Sequence, residues 1–149
     1  MTHNEIEILY VEDNASDVEL TLVALRRNRV ANRIEIVRDG AEALDFLFCR
    51  GTHAEQEFSA PKLILLDLKL PKVDGLEVLR AIREDERTKL IPVVILTSSN
   101  EQRDLVESYK SHVNSYIQKP VDFNQFQQVV QQLGLYWLIV NKTPLPETC

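Results

Sequence analysis

The 149-residue sequence has little cysteine, glycine or proline: two, four and six residues respectively. The two cysteines, Cys49 and Cys149, cannot form the disulfide framework that stabilises small secreted domains. We therefore expect reduced thiols and a cytoplasmic protein. The three histidines, His3, His53 and His112, lack the close spacing of zinc ligands, which argues against a zinc site.

Long apolar runs and an excess of basic residues are also missing. No stretch approaches the roughly 20 apolar residues that span a bilayer, and residues 1–5 show no basic and apolar pattern of a secretory signal. The net charge of −6 disfavours nucleic acid and anionic membranes as partners, because both attract basic surfaces. A composition of 44% hydrophobic and 27% charged residues is that of a globular protein, and the length fits about one domain.

Short apolar runs alternate with amphipathic segments along most of the chain. The runs predict five strands, at residues 6–11, 34–37, 63–66, 92–97 and 115–118. A helix is predicted after each strand, and the patterns Ser16-x-x-Glu19 and Asp39-x-x-Glu42 predict the starts of the first two. This alternation predicts an α/β fold, a doubly wound parallel five-stranded sheet covered on both faces.

Polar side chains stand where these strands end. Glu12 and Asp13 follow the first strand, and Asp67 follows the third. Thr97 ends the fourth strand, and Lys119 follows the fifth. Each has an ordinary explanation alone, as a helix cap, a turn residue or an exposed lysine. In a parallel sheet, however, these ends meet at one ligand-binding edge, and clustered carboxylates repel one another unless positive charge lies nearby. The positive charge would come from the lysine and from a metal ion. A set of oxygen ligands, few of them from the protein, favours magnesium as that ion.

These residues resemble the receiver domain of two-component response regulators. The resemblance spans residues 6–133 and also rests on Leu70-Pro71, Asp74-Gly75, Ser98, Tyr116 and Pro120. It implies a flavodoxin-like (βα)5 fold and a single receiver domain over residues 1–149, with no output domain following. It also implies that Asp67 accepts a phosphoryl group from a sensor histidine kinase. Such a chain is a phosphoacceptor signalling protein, assisting its own phosphorylation and dephosphorylation, rather than a conventional enzyme.

The resemblance also implies roles for the other site residues. It assigns Mg²⁺, or Mn²⁺ in its place, to Asp13, Asp67, the backbone carbonyl of Lys69 and, through water, Glu12. Lys119 and Thr97 would bind phosphoryl oxygens. Movement of Thr97 would let Tyr116 turn inward and alter the surface of the fourth helix, fifth strand and fifth helix. Lys119-Pro120 would be a cis peptide bond, and Glu12, where many receivers have a second aspartate, would tune metal binding.

The C-terminal residues 134–149 form an apolar extension that a one-faced helix cannot fully bury. Residues 134–140 are almost wholly apolar, and large exposed apolar patches mark interaction sites. The candidate interface residues are Tyr136, Trp137 and Leu138. This tail, with residues 96–126, resembles the receivers paired with cyanobacterial phytochromes and related light-sensing kinases. That resemblance implies a phytochrome-type kinase partner and a homodimer formed through the fourth and fifth helices.

Other functions on a similar fold make different demands on the sequence. A phosphohydrolase with an aspartyl-phosphate intermediate is the main alternative, but it requires an aspartate where this chain has Lys69. A flavodoxin-like cofactor module needs a Ser/Thr/Gly-rich phosphate loop after the first strand, where this chain has residues 12–15, EDNA. A receiver that no longer takes phosphate is disfavoured by the presence of Asp67, Thr97 and Lys119.

Overall fold

The predicted parallel sheet is confirmed by a computed structural model, which describes residues 7–27, 33–68, 70, 72–97 and 113–135. All strand pairs are parallel, in the order β2-β1-β3-β4-β5. The strands are β1 (Ile8–Val11), β2 (Ile34–Val37), β3 (Leu63–Asp67), β4 (Val93–Thr97) and β5 (Ser115–Gln118). The α-helices in the described ranges are α1 (Ala15–Arg27), α2 (Gly40–Leu47), α3 (Gly75–Glu84) and α4 (Phe123–Gln132). The chain turns to opposite sides of β1 to form β2 and β3, which makes the β1–β3 crevice the switch point.

Each face of the sheet carries its own apolar core, because successive strand side chains point to opposite faces. Leu9, Ile64 and Ile95 belong to the core on the side of α2 and α3. Tyr10 and Leu65, from the alternate positions, belong to the core that also contains residues of α1 and α4. The three central strands are therefore apolar on both faces, as their uninterrupted apolar runs indicate.

The starts of the first two helices show how far the capping patterns hold. At α2 the prediction is confirmed: the Asp39 side chain accepts a hydrogen bond from the backbone N–H of Glu42 at 2.7 Å. At α1 it is wrong, because the helix begins at Ala15 and Asn14 caps it, accepting from the backbone N–H of Asp17 at 3.0 Å. Asparagine caps a helix as well as serine does, and here it lies earlier in the chain, so Ser16 falls within the first turn.

The remaining predicted elements compare with the structure in different ways. The closing helix begins after Asp122 as predicted, capped by that side chain. The predicted loop 50–61 contains a short 3-10 helix, Gly51–His53. The segment of the fourth predicted helix, residues 98–112, lies outside the described residues, so α4 corresponds to the fifth predicted helix. None of the helices described is long and apolar enough to cross a membrane.

Candidate functional site

Strand register and alternation bring three of the predicted site residues together. Val11 pairs with Leu66, so the chain positions that follow, Glu12 and Asp67, are neighbours at the carboxyl edge. Glu12 and Asp67 continue the alternation of β1 and β3 toward α1 and α4. Lys119 follows β5 in the same phase, two residues after the buried Ile117. The site therefore lies at the switch point, beside the first turn of α1.

The Lys119 ammonium group lies within hydrogen-bonding distance of three carboxylates. Its Nζ is 3.0 Å from Glu12 Oε1, 3.3 Å from Asp67 Oδ2 and 2.9 Å from Asp17 Oδ2. Glu12 is fully buried and Asp67 nearly so, whereas the Asp17 side chain is 32% exposed. Since buried carboxylates are costly without a cation, this ammonium is a structural requirement of the pocket as well as a chemical group within it.

A second set of carboxylates forms a candidate metal site. Oxygen atoms of Glu12, Asp13 and Asp67 all lie within 4.8 Å of one another. Asp13 is exposed, which leaves the set open toward solvent on one side. Carboxylate oxygens with room for water suit a hard divalent cation such as Mg²⁺ or Mn²⁺. The donor set therefore fits the metal that the sequence predicts.

Gly75 allows α3 to begin directly against the end of β3. A Cβ at this position would lie 2.6 Å from the Asp67 carbonyl oxygen and 2.7 Å from that of Leu68. The Gly75 N–H also donates to the Leu68 carbonyl at 3.1 Å. Gly75 therefore permits the close backbone approach at the end of the strand that carries Asp67.

Charge and burial shift the pKa values in the pocket. Burial, with the hydrogen bond to Asp67, raises the pKa of Glu12 to about 7, and Lys119 only partly offsets this. Burial alone would lower the pKa of Lys119, but its hydrogen bonds to Asp17 and Glu12 outweigh burial and raise that pKa. The ammonium thus stays charged at neutral pH, while the ionised form of Glu12 is disfavoured without a metal.

Replacing Glu12 with glutamine is expected to stabilise the metal-free protein at neutral pH. A carboxyl whose pKa is raised on folding makes stability fall as pH increases from the unfolded value of about 4.5 to the folded value of about 7. Glutamine does not ionise, so the variant does not lose stability in this way. We expect its free energy of unfolding to exceed that of the wild type by on the order of 1–2 kcal/mol at pH 8 and to be little changed at pH 4. Denaturant melts in chelator at both pH values measure this difference.

Added metal should favour the wild type over Glu12→Gln in stability, which is the reverse of the effect expected in chelator. Millimolar Mg²⁺ should stabilise the wild type more than the Glu12→Gln variant, because the variant has lost one carboxylate of the metal set. Glu77→Gln, the same change at an exposed position on α3, is the control. If the wild type were more stable than Glu12→Gln in chelator at pH 8, ionised Glu12 would not destabilise the metal-free fold, and the prediction would be wrong.

The remaining predicted site residues are only partly described. The backbone of Thr97 ends β4 opposite Gln118, next to the site, but its side chain lies outside the described part. Tyr116 is partly buried on β5, against the core on the α2 and α3 side. The predicted cis bond between Lys119 and Pro120 is confirmed. Four predicted residues lie outside the described ranges: Lys69, Tyr136, Trp137 and Leu138.

Asp17 is the site residue that the sequence did not reveal. It makes the shortest of the three contacts to Lys119, from the first turn of α1. The buried Tyr10 hydroxyl is within hydrogen-bonding distance of the Asp17 carbonyl oxygen, at 3.4 Å, and of Thr21 Oγ1, at 3.1 Å, which anchors that turn to the core. A signal was present, because an acidic residue in the first turn after β1 must lie near the carboxyl edge of the sheet.

Comparisons with known proteins show which family this chain is similar to. The family model described as the response regulator receiver domain matches residues 8–131. A relative from Methanothrix harundinacea, the probable methanogenesis regulatory protein FilR2, is 45% identical over 93% of this chain and 88% of its own. The response regulator Rcp1 of Synechocystis sp. is 40% identical over 88% of each chain.

Solved structures show the same fold at similar identity. The bacteriophytochrome response regulator RtBRR superposes with a TM-score of 0.84 at 50% identity, over 94% of this chain and 84% of its own. The Mn²⁺-bound form of Rcp1 gives a TM-score of 0.70 at 38% identity, over 94% and 99% of the two chains. The phosphorylated cyanobacterial phytochrome response regulator RcpA gives 0.70 at 41% identity, over 95% and 99%.

Proposed function

This chain belongs to the response regulator receiver domain family, and we propose that it accepts a phosphoryl group on Asp67 from a sensor histidine kinase. The observation that carries this proposal is the junction of Asp67 with Lys119 and with the carboxylates of Glu12 and Asp13. A receiver domain implies a kinase as phosphodonor. The acceptor residue, the metal and the type of kinase are the parts that we propose.

The side chains of the pocket are suited to each part of the transfer. An oxygen of the Asp67 carboxylate forms a bond to phosphorus, the bond from phosphorus to the donor histidine nitrogen breaks, and that nitrogen keeps the electron pair. Attack by one anion on another is opposed by charge repulsion, so catalysis consists mainly of positioning and charge neutralisation. The Lys119 ammonium, which lies 3.3 Å from Asp67, would bind an oxygen of the incoming group. Thr97, at the end of the neighbouring strand, is the proposed second ligand of that group.

The metal in this proposal is Mg²⁺. Asp13 and Asp67 fit it as oxygen ligands and Glu12 as a partner through water, and we assign the Lys69 carbonyl to the same set. A bound Mg²⁺ would neutralise the negative charge of the carboxylates and of the transferred group. That the structure of Rcp1, a relative, holds Mn²⁺ supports a divalent cation in this family.

The response to phosphorylation is proposed to involve Thr97 and Tyr116. Both residues lie on adjacent strands, since β4 pairs with β5 in parallel register. A phosphoryl group on Asp67 would attract the Thr97 hydroxyl, and Tyr116 would turn into the space released. The charge change at the site would in this way shift the balance between two arrangements of the surface formed by the fourth predicted helix, β5 and α4, which is the fifth predicted helix.

The direct test is phosphorylation by a small donor. The full chain is incubated with acetyl phosphate, once with Mg²⁺ and once with chelator, and its intact mass is measured at intervals. We expect the mass gain of one phosphoryl group with Mg²⁺, mapped by peptide mass to Asp67, and little or none in chelator. Repeated turnover of the donor without a labelled protein would favour the phosphohydrolase instead.

The kinase partner is proposed to be of the phytochrome type. RtBRR and RcpA, at 50% and 41% identity, are both named as response regulators of phytochromes. FilR2, at 45% identity, is named for methanogenesis, so overall identity alone does not decide the partner. Phosphotransfer from purified phytochrome-type kinases, compared with unrelated histidine kinases at equal concentration, tests the proposal. Faster transfer from the unrelated kinases would refute it.

We also propose a homodimer that involves the apolar extension 134–149, with Tyr136, Trp137 and Leu138 at the contact. The support is the sequence itself, since these three residues lie outside the described ranges. We expect a dimer mass in solution at micromolar concentration, measured by light scattering. Replacement of Trp137 by serine should shift the mass toward the monomer. A monomeric wild type with and without phosphorylation would contradict the proposal.

A further inference from the structure

The Lys119 ammonium has three N–H donors, and three carboxylates already accept them. The contacts are to Asp17, Glu12 and Asp67, at 2.9, 3.0 and 3.3 Å. An ammonium group cannot donate more than three hydrogen bonds in good geometry. To bind an oxygen of a phosphoryl group, Lys119 must therefore give up one of these three partners.

The three partners differ in what their release would cost. Glu12 and Asp67 are buried, and loss of the ammonium before the transfer would leave their charge without water around it. Asp17 is 32% exposed and lies at the start of a helix, so water can replace the ammonium at its carboxylate. Asp17 is also outside the described metal cluster of Glu12, Asp13 and Asp67. Release of Asp17 is therefore the least costly of the three.

We infer that Asp17 is a positioning residue that holds the Lys119 ammonium in the unphosphorylated protein and competes with the incoming phosphoryl group for it. The inference deepens the proposed function and rests on it for the role of Lys119. Tyr10 and Thr21 keep the first turn of α1 in place, so Asp17 is held within reach rather than meeting Lys119 by chance. Because the pair is partly exposed, it is weak enough to break during each phosphorylation.

The inference predicts two effects of opposite sign in Asp17→Asn. Asparagine keeps the size but loses the charge, so the ammonium is freer to bind phosphate. With metal saturating, we expect phosphorylation by acetyl phosphate below donor saturation to be about three- to tenfold faster. The released ammonium is also shared more fully by Glu12 and Asp67, which compete for it with a cation. The affinity for Mn²⁺, measured by calorimetry without phosphodonor, should therefore fall by about three- to tenfold.

Two further variants separate this role from a general structural one. Asp17→Glu retains a carboxylate that can reach Lys119. It should restore the phosphorylation rate and the Mn²⁺ affinity to within about twofold of the wild type. Glu19→Gln removes the same charge from an exposed position of the same helix and should change neither by more than about twofold. Damage to the fold would lower metal affinity and phosphorylation rate together.

The outcomes are decisive in each direction. A faster reaction together with weaker metal binding in Asp17→Asn, reversed in Asp17→Glu, supports the inference. If Asp17→Asn has the same phosphorylation rate and Mn²⁺ affinity as the wild type, or if both quantities fall, the inference is overturned. If the wild type takes no phosphate yet Asp17→Asn still weakens Mn²⁺ binding, Asp17 does hold the ammonium and the proposed function is what fails.

Discussion

Asp67→Asn is expected to abolish the phosphate gain from acetyl phosphate, with a rate at least about 100-fold below that of the wild type. The amide has nearly the same size as the carboxylate and fits the same buried position at the end of β3. Its oxygen is a far weaker nucleophile, because the lone pairs carry no full negative charge. Intact mass after incubation with the donor and Mg²⁺ measures the loss directly.

The interpretation of that result depends on two controls. Asp67 also belongs to the metal cluster, so Mn²⁺ binding to the variant is measured at the same time and the phosphorylation assay is run at saturating metal. Asp74→Asn makes the same chemical change at an exposed carboxylate seven positions later and should retain the gain. Undiminished phosphate on Asp67→Asn would place the acceptor elsewhere and refute the proposed role of Asp67.

The sequence was sufficient to predict the sheet and the part of the site that strands carry. Each strand has a period of two, so the residues that follow its last apolar position have a defined edge and alternate between the two faces. That regularity places Glu12, Asp67 and Lys119 together without knowledge of any contact. The distances among them depend on register and backbone packing, such as the close approach allowed at Gly75, which the sequence pattern does not specify.

The helix-borne part of the site was not predicted, for a specific physical reason. A helix turns about 100° per residue, so an error of two residues in its start changes which side chain of the first turn faces the sheet edge. The pattern beginning at Ser16 predicted a later start than the one that Asn14 produces. Both residue types cap helices well, and only the packed structure decides between them. The contact of Asp17 with Lys119 is a consequence of that choice.

Lys119→Met is expected to impair both chemistry and stability. Methionine keeps much of the aliphatic stem but removes the ammonium that Glu12, Asp17 and Asp67 share. Loss of one charged donor to a transferred group lowers the rate by about 100- to 1000-fold. Removal of one partner from buried ion pairs costs on the order of 3 kcal/mol. Phosphorylation by acetyl phosphate and denaturant melts in chelator at pH 8 measure the two losses.

The stability loss should depend on pH and on metal in a defined way. The raised pKa of Lys119 means that the wild type has its full contribution at every pH below the ordinary lysine value, so neutral pH removes none of it. In the variant the carboxylates can instead bind protons, because Lys119 no longer lowers the pKa of Glu12. The difference in free energy of unfolding between variant and wild type should therefore be smaller at pH 5 than at pH 8. At pH 8, Mg²⁺ should make this difference smaller by supplying the missing positive charge.

Lys89→Met, which removes a surface pair with Glu86, is the control, and its stability relative to the wild type should depend on neither pH nor Mg²⁺. A Lys119→Met protein as stable as the wild type in chelator at pH 8 would mean that the pocket does not need the ammonium to hold its carboxylates together.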